Sequence, residues 1–148
     1  MNSDDNRWTI PPESIQTLSD SVLFHLKNVE TGISLQASLE SLISGQSFRF
    51  RVDEINSEKK RFDAEQFVLL PNLKKTKLSV VDQSNNGFTI EVLDDVSKQK
   101  NKIVVTASPF RLNVYSGDDL VIVGNQRSLF NFEHYRHKTD GKILWLSF

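Results

Sequence analysis

The sequence predicts an all-β protein, an antiparallel β-sandwich, on three observations. Apolar residues recur with a period of two, eight such runs are separated by turn residues, and helical spacing competes at one place only. The cleanest alternation is Ser47-Phe-Arg-Phe-Arg-Val-Asp53, with Phe48, Phe50 and Val52 on one face and Arg49, Arg51 and Asp53 on the other. An antiparallel strand with one buried and one solvated face has this pattern.

The other elements follow in order. Residues 1–14 open with the polar run Met1-Asn-Ser-Asp-Asp-Asn-Arg7 and are expected to be a flexible N-terminal segment. Ser21-Val-Leu-Phe-His-Leu-Lys-Asn28 passes through Val29-Glu-Thr-Gly32 into Ile33-Ser-Leu-Gln-Ala-Ser-Leu39, a hairpin that aligns Ile33, Leu35, Ala37 and Leu39. Leu35, Leu39, Leu42 and Ile43 also have helical spacing, but the alternation and the preceding Thr31-Gly32 turn favour a strand. Alternation stops between 54 and 73, where the charged run Glu58-Lys-Lys-Arg61 leads into Phe67-Val-Leu-Leu-Pro71. It resumes at Lys77-Leu-Ser-Val-Val-Asp82 and returns along Phe88-Thr-Ile-Glu-Val-Leu93 after Asn85-Asn-Gly87, an Asn-Gly turn whose central positions accept positive φ. A polar connector from 94 to 101 precedes Lys102-Ile-Val-Val-Thr-Ala107, and a last pair of strands, 111–116 and 120–124, flanks Gly117-Asp118.

Composition excludes several function classes. The 148 residues suit one domain, able to bury roughly 70% of the surface of its unfolded chain. Eighteen basic and 19 acidic residues give a net charge of -1, which draws the chain to neither nucleic acid nor an anionic membrane. The hydrophobic fraction is 38% and the mean hydropathy -0.36, and no run approaches the roughly 18 apolar residues of a membrane span. Without cysteine there is no disulfide framework and no Cys-ligated zinc. No phosphate loop or dinucleotide fingerprint is present, so no cofactor is expected. The N-terminus lacks the apolar run of a secretory signal, so the chain as written reads as cytoplasmic.

The segment Ser108-Pro-Phe-Arg-Leu-Asn-Val-Tyr-Ser-Gly-Asp-Asp-Leu-Val-Ile-Val-Gly-Asn-Gln-Arg-Ser-Leu-Phe-Asn-Phe-Glu-His134 resembles glycoside hydrolase family 31. In the endoplasmic-reticulum α-glucosidases of that family a Pro-Phe-Arg-Leu strand, a short hairpin and Asn-x-Arg-Gly-Leu-x-x-Phe-Glu-His occur in this order. Two further anchors are Ser19-Asp-Ser-Val-Leu-Phe-His-Leu26 and Phe48-Arg-Phe-Arg-Val-Asp-Glu-Ile55 with Lys60-Arg-Phe62, so the resemblance spans 15–134. Ser128 stands where the family usually has Gly, Lys60 where it has Pro and Asn113 where Asp is common. A Ser held at positive φ costs about 1 kcal/mol relative to Gly. Residues 135–148 form a tail of unclear origin, of which 138–148 resemble nothing in the family.

The resemblance implies a galactose-mutarotase-like N-terminal sandwich, incomplete in this chain, from an enzyme that removes α-linked glucose from N-glycans in the endoplasmic-reticulum lumen. It implies as partners the rest of a family 31 catalytic chain or a lectin-like β subunit. Retaining glycosidases need two carboxylates about 5–5.5 Å apart. The family's nucleophile lies in a Trp-x-Asp-Met-Asn-Glu motif, which is missing here: Trp8 precedes Thr9-Ile10, Trp145 precedes Leu146-Ser147, and the one Met is Met1. Of the neighbouring acids Asp53-Glu54, Asp94-Asp95 and Asp118-Asp119, any that lie on a strand point to opposite faces, and the last pair suits a turn.

No catalytic residue is therefore expected. Glu133-His134 suits a hydrogen-bonded clasp at a strand end, His25 an outward position with no second ligand for a metal, and Lys74-Lys75-x-Lys77 a solvated edge. Trp145, Tyr115 and Tyr135 are the candidate sugar contacts, with Trp8 a further exposed-ring candidate. The expected function is a non-catalytic module of a family 31 glycosidase; the alternative is a stand-alone carbohydrate-binding or protein-interaction sandwich. Its apolar edge near 120–123 is expected to favour self-association.

Overall fold

Alternating apolar runs pair because each can bury one face only against another sheet. In a computed structural model of the chain, which describes residues 7–57, 62, 67 and 73–133, they form two antiparallel sheets. In the first, β1 (Trp8–Thr9) and β2 (Gln16–Thr17) pair with β3 (Ser21–Asn28), followed by β4 (Ser34–Leu42) and β5 (Ser47–Glu54). A short β6 (Lys75–Thr76) adds to the end of β4. The second sheet is a meander of β7 (Ser79–Ser84), β8 (Gly87–Leu93), β9 (Lys100–Ala107), β10 (Phe110–Ser116) and β11 (Asp119–Gly124). The all-β sandwich read from the sequence is the fold.

Val22, Phe24 and Leu26 of β3 and Leu35, Ala37 and Leu39 of β4 form one core face, and Phe88, Ile90 and Val92 of β8 with Ile103, Val105 and Ala107 of β9 the other, each at most 3% exposed. Phe24 is central: its ring meets Phe88 edge-on at 5.3 Å and lies 6.5 Å from Phe110 and 6.4 Å from Phe50. The stretch with competing helical spacing is strand through Leu42, because Leu35, Ala37 and Leu39 all turn inward; only Ile43–Gly45 coils, as one 3-10 turn.

The outer face of the first sheet holds a charge cluster. Glu40 accepts hydrogen bonds from Arg49 Nε at 2.7 Å and from Arg49 Nη2, and pairs with Lys75 Nζ at 2.7 Å, at 11% side-chain exposure. Burial alone raises its pKa, but the hydrogen bonds from Lys75 and Arg49 outweigh burial and hold the carboxyl below its ordinary value. The cluster ties the chain that returns after β5 to both β4 and β5.

Four local expectations change. Within the 1–14 segment expected to be flexible, Trp8 and Ile10 are core residues at 5% and 3% exposure, because Trp8 and Thr9 pair with Asn28 and Lys27 and the Ile10 amide donates to Ala107 O at 3.0 Å. This last bond joins the two sheets. Lys75 is not a solvated edge lysine, since it pairs in β6 and neutralises Glu40. The β7–β8 turn centres on Asn85 and Asn86, with Ser84 opposite Gly87. Gly87 alone in this turn has positive φ, +140°, and a Cβ there would sit 1.9 Å from Val105 O. Finally, Phe50 lies on the core side as its alternation requires but at the rim, 37% exposed.

The difference between Phe24 and Phe50 should be measurable by denaturant unfolding. Phe24→Ala is expected to cost about 3–5 kcal/mol, and the rim residue Phe50→Ala about 1–2 kcal/mol; equal losses would place Phe50 in the core instead. Because the Glu40 carboxyl is depressed in the folded state, its contribution is full above the unfolded pKa and fades as pH falls through the folded value. Glu40→Gln should lower stability at neutral pH by about 1–3 kcal/mol and flatten the acid limb of a stability-versus-pH curve; an unchanged acid limb would show that the cluster does not titrate this way.

Candidate functional site

The two sheets do not meet evenly on both sides. Between β5 on one sheet and β10 and β11 on the other lies a cavity of about 460 Å³. Leu39, Phe48 and Phe50 line it from the first sheet and Ile103, Leu112, Val114, Val121 and Ile122 from the second. Its polar wall is Gln46, Ser47, Asn101, Tyr115 and Ser116, and among the described residues no carboxylate lines it. The Asn101 amide nitrogen donates to Gly45 O at 3.1 Å, while Asn101 Oδ1 is buried without a hydrogen-bond partner among the described residues.

β11 forms the outer wall. It pairs with β10, and among the described residues no strand pairs with its other edge. A bulge at Val114/Tyr115 leaves Val121 without an opposite residue and lets it line the cavity beside Ile122. Leu120, Val121, Ile122 and Val123 are 50%, 56%, 56% and 41% exposed. Four consecutive half-exposed apolar residues depart from the alternation of the other strands, and such an uninterrupted run in sequence marks a strand meant for cover on both faces.

The sugar-contact candidates fare differently. Tyr115 lines the cavity, but the Lys102 ammonium sits 4.8 Å from its ring centroid and occupies one ring face. Tyr135 and Trp145 lie outside the described residues, as does the 135–148 tail. Trp8 is in the core, edge-on to Phe130 at 5.4 Å, and offers no exposed face to a sugar.

The acidic pairs are dispersed. Asp53 is ion-paired with Arg51 at 2.8 Å on the outer face of β5. Asp94 accepts from the Ser97 hydroxyl at 2.6 Å and the Val96 amide at 2.8 Å, bonds that hold its carboxyl below the ordinary value and shape the β8–β9 turn. Asp118 and Asp119 stand exposed at the β10–β11 turn. Glu133 is exposed, and His134, its proposed clasp partner, lies outside the described residues. His25 takes the outward position on β3, opposite Gln36, and among the described residues no three His, Cys, Asp or Glu side chains gather as a metal site. Gln46, Ser47 and Asn101 were not singled out in sequence, because nothing local distinguishes a cavity-lining amide from a loop amide.

The segment after β11 closes one end of the core. Asn125, at φ 57°, donates from its side-chain nitrogen to Phe110 O at 2.6 Å and accepts the Phe130 amide at 2.8 Å. Phe130 then wedges between Trp8 and Phe110, at 5.4 and 5.8 Å, and Phe132 packs beside the core. The aromatic tail that resembled family 31 is thus an end plug. Ser128 sits at φ 56°, the left-handed conformation in which Gly is unstrained.

A profile of the glycosyl hydrolase 31 N-terminal galactose mutarotase-like domain matches residues 36–147. The chain belongs to this family. It is 34% identical over 124 residues to neutral alpha-glucosidase AB of Sus scrofa and 31% identical to that of Homo sapiens, covering 84% of this chain and 12% of each relative. The crystal structure of a glucosidase II alpha subunit bound to Glc1Man2 superposes with a TM-score of 0.79 at 21% identity, over 95% of this chain and 17% of that one. An ER glucosidase II complex of a catalytic subunit with the binding domain of a regulatory subunit gives 0.78. At this identity the likeness is one of fold. The family 31 sandwich therefore spans a small part of its relatives' length, and no helix among its described residues is long and apolar enough to cross a membrane.

The left-handed φ of Ser128 yields a direct test. Ser128→Gly should raise stability by about 0.5–1 kcal/mol in thermal or denaturant unfolding, because relief of left-handed strain exceeds the entropy Gly adds to the unfolded chain. A destabilised Gly variant would mean that the turn holds Ser without strain.

Proposed function

We propose that the chain serves as the non-catalytic N-terminal sandwich of an α-glucosidase II-like glycosidase. Glucose trimming of N-glycans in the endoplasmic reticulum belongs, in this reading, to a whole enzyme whose barrel carries the carboxylates. One observation carries it: the sandwich of a glycosidase family has its open cavity walled, among the described residues, by apolar side chains, amides and hydroxyls, without the two carboxylates a retaining glycosidase needs. The flank between β5 and β11 is the surface that such a module offers to the remainder of a catalytic chain. A regulatory, lectin-like subunit is then a partner of the assembled enzyme, consistent with the composition of the solved heterodimer.

Two measurements test this. The chain alone should not turn over an aryl α-glucoside, and titration calorimetry with gluco-oligosaccharides should give flat heats. Co-expressed with a family 31 catalytic chain from which the equivalent sandwich has been deleted, it should restore solubility and glucosidase activity. Saturable sugar binding lost on Tyr115→Ala, without such complementation, would replace this reading with that of a stand-alone carbohydrate-binding sandwich.

A further inference from the structure

We infer that the edge of β11 that no described strand covers is occupied by β11 of a second copy of the chain, pairing antiparallel about a twofold axis. The inference goes beyond the proposed function: it concerns the chain on its own, without the catalytic chain to which that reading assigns this flank, and rests on the geometry and charge of β11. An edge strand presents unpaired N–H and C=O groups, which template addition of another strand unless charge or proline blocks it. Residues 120–124 carry neither, and Leu120–Val123 are about half exposed.

Charge selects this occupant. β11 is acidic before its apolar run, at Asp118 and Asp119, and basic after it, at Arg127. All three are exposed, and none has an ion-pair partner among the described residues. A twofold axis passing between Val121 and Ile122 sets Asp119 of one copy opposite Gly124 of the other, three residues from Arg127. The acidic end of each strand thereby meets the basic end of its partner. Parallel pairing would place like ends together, and an isologous antiparallel contact closes at two copies without leaving a further edge of β11. With a net charge of -1, overall repulsion does not oppose it. A six-residue strand offers less than the roughly 800 Å² per partner of a standard interface, so the dimer should form in the micromolar range.

Sedimentation velocity of the chain from about 1 to 200 µM, bracketing that range, tests the inference. A concentration-dependent monomer–dimer equilibrium is expected. Val121→Lys should weaken it about tenfold or more by putting a charge at the centre of the pairing. Arg127→Asp should weaken it about two- to fivefold, and adding Asp119→Arg to that variant should bring the dissociation constant back toward the unmodified value. Circular dichroism melts check that each variant folds, and the exposed Asp119 and Arg127 substitutions provide the readout should Val121→Lys not fold. A monomer at every concentration, open-ended aggregation, or a charge swap that fails to restore association would overturn the proposal. An intact dimer despite Val121→Lys would place the interface elsewhere and overturn it equally.

Discussion

The structure depends on the meeting of two alternating apolar faces about Phe24. A β-strand displays its side chains with a period of two, so a one-residue slip would turn a whole buried set toward solvent. Burial of the β3–β4 face against the β8–β9 face therefore fixes which residues of every neighbouring strand point inward. Phe24 lies opposite Ala37, and Leu39 lies opposite Phe50, so register passes from the centre of the core to the rim strand β5. The contacts of Phe24 with Phe88 and Phe110 carry the same constraint across to the second sheet.

Away from this centre the sheets are closed unevenly. At one end, Trp8, Ile10, Phe110 and Phe130 cover the core, held by the Asn125 side chain and by the bond from Ile10 to Ala107. On the β5–β11 side a cavity remains, with Phe50 and the apolar run of β11 at its border. These differences have one origin. Strands with alternating sequence bury one face and are satisfied by one partner sheet, whereas Leu120-Val-Ile-Val123 is apolar on both faces and cannot be.

That asymmetry leaves the β5–β11 flank as the open side of the sandwich among the described residues. Three of the described carboxylates are held in structural bonds: Glu40 binds Arg49 and Lys75, Asp53 binds Arg51, and Asp94 shapes a turn. In the proposed function this flank is the surface that the sandwich offers to the rest of a larger glycosidase. The motifs that identified the family are likewise architectural. Phe130 and Phe132 plug the core, and the Arg-Phe-Arg-Val-Asp strand supplies the cavity rim and two ion pairs.

The sequence by itself determined the sandwich class, the eight longer strands and the inward faces of β4 and β5, because a period of two is a local property that survives any arrangement of neighbours. It also marked the 120–123 run as an apolar edge, a local property of composition, whereas Ser128 was marked only by the resemblance to family 31 and its positive φ belongs to the structure. Only the tertiary structure decided that Trp8 and Ile10 are core, that Lys75 neutralises a buried glutamate and that Phe50 stands at an open rim. Each of these depends on a partner distant in sequence: Asn28 and Ala107 for the N-terminal strand, Glu40 for Lys75, Phe110 and β11 for Phe50. The physical reason is that a strand's pattern states which face is apolar but not how much cover that face receives.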